Sequence, residues 1–212
     1  MNQAMSDPAT DPQRPDVDES PHLPDLDIRA LGRQARAHQI SANALLAVGS
    51  GLAVFAAALL LWGGIVEGAI RAALLLLAAA IMPVRLLVNR LSAVTLSDGV
   101  TGATNSSTRR WLHHGEGALL IAAGGFCAFG SGHDMGAPLG LVCATLGMLA
   151  GLRGPARSGF LYGLYPSLIL GAAAAVAAFE PLWGWRGQSF LIGLSVIAVV
   201  LIVQLLRPRP GA

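Results

Sequence analysis

The chain has 212 residues, of which 54% are hydrophobic and 12% are charged, and its formal net charge is +2. With a mean hydropathy of +0.60, this composition predicts one compact membrane domain rather than two soluble ones. We expect no nucleic-acid partner.

The basic residues are all of one type, and both cysteines lie in the same kind of sequence environment. All 14 basic residues are arginine, a usage that codon bias toward GC-rich triplets explains better than a need for bidentate pairing, and that favours a bacterial source. Cys127 and Cys143 lie inside apolar stretches, so we expect buried free thiols that pack as small hydrophobic side chains. Neither a disulfide framework nor a zinc-ligand spacing is present.

Two segments precede the first apolar run. Residues 1–24 alternate prolines with acids and have almost nothing apolar to bury, so we expect a disordered acidic, proline-rich tail. Residues 25–40 place apolar side chains at helical spacing opposite arginines. This pattern is typical either of a basic amphipathic helix lying on an anionic membrane surface or of a plain juxtamembrane linker, and both interpretations stay open.

Six apolar stretches follow between residues 41 and 206. The first, residues 41–63, contains no charge and reaches roughly 34 Å as a helix, against a hydrocarbon core of about 30 Å. In the second, Pro83 should bend the last turns. The other five stretches are residues 65–91, 117–132, 136–152, 158–179 and 187–206. We therefore predict an all-α integral membrane protein with six transmembrane helices in a compact bundle, followed by a tail at residues 207–212.

The arginines are distributed asymmetrically around these stretches. With a cytoplasmic N-terminus, 12 of the 14 arginines fall in cytoplasmic segments, and only Arg71 and Arg186 fall outside. The positive-inside rule therefore predicts that both termini are cytoplasmic, in a multi-pass protein of a bacterial inner membrane. Three tryptophans then lie at the outer interface, where indole rings prefer to sit: Trp62, Trp183 and Trp185.

Charged residues near the outer helix ends form a candidate functional cluster, namely Glu67, Arg71, His133 and Asp134. Glu67 and Arg71 are four positions apart in the order that favours helical pairing, so we expect a local ion pair rather than a proton relay. Such charges are expected where helix ends reach the water-exposed membrane surface, because the free-energy cost of placing a charged side chain in the membrane falls near helix ends. The alternative is a small entrance or proton-linked site, with Glu67 as the carboxylate and His133 as its titrating partner.

Small residues recur every four positions in the fourth and fifth apolar stretches. Such spacing lets helix backbones approach closely, so we predict a helix-packing stripe and a close crossing between these two stretches. The stripe consists of Gly140, Ala144, Gly159, Gly163, Ser167 and Gly171.

The sequence offers no motif for catalysis. It contains no phosphate-binding loop, dinucleotide fingerprint, nucleophile elbow or zinc motif, and we predict no catalytic, cofactor-binding or metal-binding residue. The predicted spans do not bring several polar residues together near the middle of the membrane. The first hypothesis is therefore a non-catalytic scaffold or accessory subunit of a membrane system, surrounded by lipid and partnered by another membrane protein or a second copy.

Two alternatives to the scaffold remain. Glycine-rich and proline-broken helices suit a small-solute or ion transporter or channel. A membrane-embedded lipid-modifying enzyme would need an inner cleft that gathers Asp98, His113, His114 and Glu116.

Overall fold

The structure is a computed structural model, and it describes residues 41–97, 106–153 and 158–206. Within these ranges the chain forms α-helices joined by short connectors, which confirms the predicted all-α class. The helices are α1 (Ala42–Ile65), α2 (Gly68–Ser97), α3 (Ser106–Gly130), α4 (Gly136–Arg153), α5 (Ser158–Ala177), α6 (Glu180–Trp183) and α7 (Gln188–Leu206). The predicted tail, the juxtamembrane segment, the C-terminal tail and Asp98 lie outside the described residues.

Three of the described helices are long and apolar enough to cross a membrane: α1, the Gly68–Ala93 part of α2, and α7. Only 28–39% of the most apolar window of each is buried, so most of these side chains face outward, as a bilayer favours and water does not. The apolar parts of α4 and α5, Gly136–Ala150 and Tyr165–Ala177, are shorter. Several apolar helices with exposed faces make the chain compatible with a membrane protein.

The third helix lies at the centre of the bundle, in contact with α1, α4, α5 and α7. Its glycines permit this position because they bring other backbones close. A Cβ atom on Gly125 would lie 2.7 Å from the carbonyl oxygen of Gly136 and 2.8 Å from the Cα of Gly140. A Cβ on Gly130 would lie 2.0 Å from the carbonyl oxygen of Gly64, at the end of α1. The sequence-based boundary at residue 117 missed the first turns of α3, because those turns are polar.

The partner predicted for the small-residue stripe is wrong. Gly140 of α4 packs on α3 rather than on α5, and the fourth and fifth helices have few contacts. In α5, Gly171 faces α2, where its Cβ would lie 3.2 Å from the Cβ of Met82. Small residues mark where a backbone can approach, but the pattern does not specify which helix approaches.

For the other members of the stripe, the structure describes fewer contacts. Ala144 is buried in the core, and Ser167 of α5 hydrogen-bonds to α2. Gly159 and Gly163 lie within α5, before the part of that helix whose side-chain surroundings the structure describes.

We predict that Gly125→Ala lowers the free energy of unfolding by about 1–3 kcal/mol, because the new methyl group would overlap the backbone of α4. Thermal unfolding in detergent measures the effect. Gly51→Ala is the matched control: it is also a mid-helix substitution, but no atom lies within 4 Å of the added Cβ, so stability should hold or rise slightly. Equal losses for both variants would contradict the close α3–α4 crossing.

Candidate functional site

The predicted outer cluster lies at one end of the bundle, which we call the Glu180 end: residues 66–71, 131–135 and 178–189. Arg71 donates a hydrogen bond to Ser131 Oγ, and that hydroxyl donates to the Cys127 carbonyl at 2.9 Å. Glu67 is exposed in the connector before α2 begins at Gly68. Because Glu67 is not on the same helix as Arg71, the predicted ion pair does not form.

The two other predicted members of this cluster do not meet Glu67. His133 donates through Nε2 to the backbone oxygen of Arg186, which ties the α3–α4 connector to the segment before α7. Asp134 is exposed. The four predicted residues therefore share one end of the bundle without converging on a common site.

Glu180 gives this end its most buried charge, with 1% of the residue exposed. Its Oε2 accepts the backbone N–H of Gly187 at 2.6 Å, and its Oε1 accepts that of Ser189 at 2.8 Å. These amides belong to the first turn of α7, where a carboxylate satisfies unpaired donors and the helix dipole. Glu180 is thus a cap that fixes the start of the last helix.

A second set of polar side chains converges inside the bundle, far from the Glu180 end. We call it the Arg85 cluster, and it consists of Ser50, Arg85, His113, Glu116 and Ser167. Arg85 is fully buried; its Nη2 lies 2.5 Å from Glu116 Oε2, and its Nη1 donates to Ser167 Oγ. Ser50 donates to Glu116 Oε1, and His113 Nδ1 lies 3.5 Å from Glu116 Oε2. Four helices, α1, α2, α3 and α5, meet at this ion pair.

The Arg85 cluster lies well inside the apolar part of the bundle. Ser50 comes eight residues after the start of α1, or roughly 12 Å along the helix axis, and Arg85 lies within the apolar Gly68–Ala93 span. A charge at such a depth is expensive unless it is paired, and it marks a functional site by default. The expectation that polar residues do not converge at depth is therefore wrong.

Sequence reasoning named His113, Glu116 and Ser167 but did not bring them together with Ser50 and Arg85, because the members come from four separate helices. The hydrogen-bonded pairs are 31, 66 and 82 positions apart, and each helix contributes only one or two polar residues. One signal was present. Arg85 continues the buried seam of Leu75, Ala78 and Met82, which a lipid-facing, snorkelling arginine would not do.

Two further polar residues of α2, which follow Arg85 along the helix, lie against α1. Asn89, which is 5% exposed, lies against α1, where a Cβ on Gly49 would come within 2.1 Å of its Oδ1. Ser92 Oγ donates to the Ala42 carbonyl at 2.9 Å. Beyond the ion pair, α2 therefore contacts α1 through the hydrogen bond from Ser92 and the buried side chain of Asn89.

These contacts bear on the predicted absence of a metal site and on the inner cleft of the enzyme alternative. Among the described residues, no three His, Cys, Asp or Glu side chains come together in a group that could hold a metal ion. Glu116, one member of the inner cleft that an enzyme would need, is engaged by Arg85 and Ser50. Comparison with protein-family models, with curated proteins and with solved structures finds no match for this chain.

We predict that Arg85→Met and Glu116→Leu each lower the free energy of unfolding by about 3–5 kcal/mol, because each leaves one buried charge without its partner. The double variant should lose much less than the sum, since it buries no unpaired charge. Thermal unfolding in detergent completes the double-mutant cycle. Glu67→Gln is the control, because Glu67 is exposed and should tolerate the change. Additive losses would show that the pair is not coupled.

Proposed function

We propose that this chain is a polytopic protein of a bacterial inner membrane that crosses the bilayer six times, with both termini in the cytoplasm. Three helices have the length and hydropathy of spans, and the shorter apolar helices α4 and α5 pack beside them. The asymmetric arginines support the orientation. In this arrangement the Arg85 cluster lies in the cytoplasmic half and the Glu180 end faces outward.

Reporter fusions test this topology. Green fluorescent protein fused after Ala212 should fluoresce, and alkaline phosphatase at the same position should be inactive, because the C-terminus is placed in the cytoplasm. Phosphatase inserted after Asp134, in the α3–α4 connector, should be active. The reverse pattern at either position would overturn the proposed orientation.

Within the membrane, we propose that the protein acts as a small-solute or ion transporter. The observation that carries this proposal is the buried Arg85–Glu116 pair, which lies at the meeting point of four helices. Ionisable residues within spans are costly and commonly mark the path of an ion or solute. The scaffold hypothesis rested on the lack of such a convergence, so the geometry now favours transport.

A scaffold or accessory subunit is the second candidate, and one specific observation favours it. Backbones approach closely around α3, at Gly125 against Gly140 and at Gly130 against Gly64. Close backbone packing stiffens a bundle, which suits a protein that holds a partner in place. On this hypothesis, the Arg85 cluster serves only to specify which helices pack together.

Flux measurements separate these two candidates. In proteoliposomes with a trapped pH-sensitive dye, the protein should dissipate an imposed proton or sodium gradient faster than empty liposomes. Glu116→Gln should reduce that rate to the liposome background, because it removes the buried carboxylate, whereas Glu67→Gln should leave the rate unchanged. If folded protein moves neither ion, or if Glu116→Gln leaves the flux intact, the transport proposal fails.

A further inference from the structure

The second helix is held by two different kinds of contact on the two sides of Pro83. Before the proline, Leu75, Ala78 and Met82 are buried in the apolar core. After it, Arg85 and Ser92 donate the hydrogen bonds described above, and Leu86 and Asn89 are buried. Pro83 has no N–H to give to the Ala79 carbonyl, so the helix can bend where one kind of contact gives way to the other.

The fifth helix lies directly against this point. A Cβ on Gly171 would lie 3.2 Å from the Cβ of Met82 and 3.8 Å from the Ala79 oxygen. Because Gly171 has no side chain, α5 approaches α2 closely at Met82, one residue before Pro83. The part of α2 before Pro83 is therefore anchored by apolar packing, whereas after Pro83 side-chain hydrogen bonds from Arg85 and Ser92 join α2 to α1, α3 and α5.

Hydrogen bonds and ion pairs can exchange partners with water, whereas buried apolar side chains cannot. A swing of residues 84–97 about Pro83 would carry Arg85 away from Glu116. The carboxylate would keep the hydroxyl of Ser50, and the hydroxyl of Ser167 would lose its hydrogen bond from Arg85. Without Arg85, this group of oxygens carries a net negative charge inside the membrane, and it must take up a cation to avoid a buried, uncompensated charge.

We propose that residues 84–97 form a cytoplasmic gate hinged at Pro83, and that the gate opens only when one monovalent cation replaces the Arg85 guanidinium at Glu116, Ser50 and Ser167. A carboxylate with two hydroxyl groups suits either a proton or Na⁺, and the experiment distinguishes them. The inference rests on the proposed transport function and adds that the ion coupled to transport is a monovalent cation.

The surroundings of Glu116 define the charges that this exchange involves. Arg85 of α2 and His113 of α3 face the carboxylate, whereas α1 and α5 offer the hydroxyl groups of Ser50 and Ser167. Over residues 136–150 and 188–206, α4 and α7 contain no Asp, Glu, His or Arg. The guanidinium is therefore the cation that neutralises the carboxylate when the gate is closed.

Accessibility of a buried thiol tests the gate. Ala53, fully buried on α1 about one turn from Ser50, is replaced by Cys in the full chain, in vesicles with their cytoplasmic face outward. A membrane-impermeant maleimide is added, and labelling is quantified peptide by peptide. Because maleimide reacts with the thiolate, labelling is expressed relative to that of the denatured protein at the same pH. We expect this relative labelling to rise as pH falls if the ion is a proton, or with NaCl in place of N-methylglucamine chloride at constant pH if it is Na⁺. Labelling that responds to neither change would overturn the proposal.

Two further variants test the hinge and the ion. Pro83→Ala restores the missing N–H and keeps both charges, so it should reduce Ala53→Cys labelling to background. Glu116→Gln should make labelling independent of both ions, because no negative charge then needs compensation. A Pro83→Ala variant that labels like the parent would contradict the hinge, and this result does not depend on whether Glu116→Gln folds.

Ala57→Cys, one turn deeper on the same buried face, is the control, together with the buried native Cys127 and Cys143. These thiols should stay unlabelled, and labelling of all of them in parallel would show general unfolding and overturn the gate. Ion-dependent labelling without any flux would leave the gate standing and remove the transport function. Flux with ion-independent labelling would remove the gate alone.

Discussion

The arrangement of this bundle depends on one constraint, which is that a buried guanidinium must find its partners inside the protein. Arg85 extends from α2 into a space that lipid does not reach, and it takes a carboxylate from α3 and a hydroxyl from α5. Ser50 brings α1 to the same carboxylate. Apolar packing alone would allow several arrangements of similar helices, since lipid tails are as apolar as leucine. The ion pair selects one of them by penalising every arrangement that leaves either charge alone.

Helix positions follow from the sequence where the local chemistry is unambiguous. The fourth stretch was expected at residues 136–152 and the last at 187–206, against Gly136–Arg153 and Gln188–Leu206 in the structure. Gly68, with φ of +68°, delays the start of α2 by three residues. The largest difference is at α3, which begins at Ser106 rather than at residue 117. Its first turns are polar, so no hydropathy pattern marks them, and the buried His114 and Glu116 lie farther along the same helix.

The candidate site was less predictable, because contacts between helices are not encoded in local patterns. Ser50, Glu116 and Ser167 lie on three different helices and are far apart in the sequence. They contact or approach Arg85 because they lie at a similar distance from the same end of the bundle. The same limit explains the small-residue stripe. Glycine at position 140 correctly indicates a close approach of another backbone, but the choice of Gly125 as its neighbour depends on how α3 is placed between α1 and α4.

The two buried carboxylates of the described core are held by donors of different kinds. Backbone amides hold Glu180 and side chains hold Glu116, so the two ends of the bundle differ in how freely these donors can move. Glu180 is held by the backbone amides of Gly187 and Ser189 at the start of α7, and these donors are part of the main chain. Glu116 is held by side chains of three residues on separate elements, each of which can rotate. We therefore expect smaller displacements at the Glu180 end than at the opposite end of the bundle.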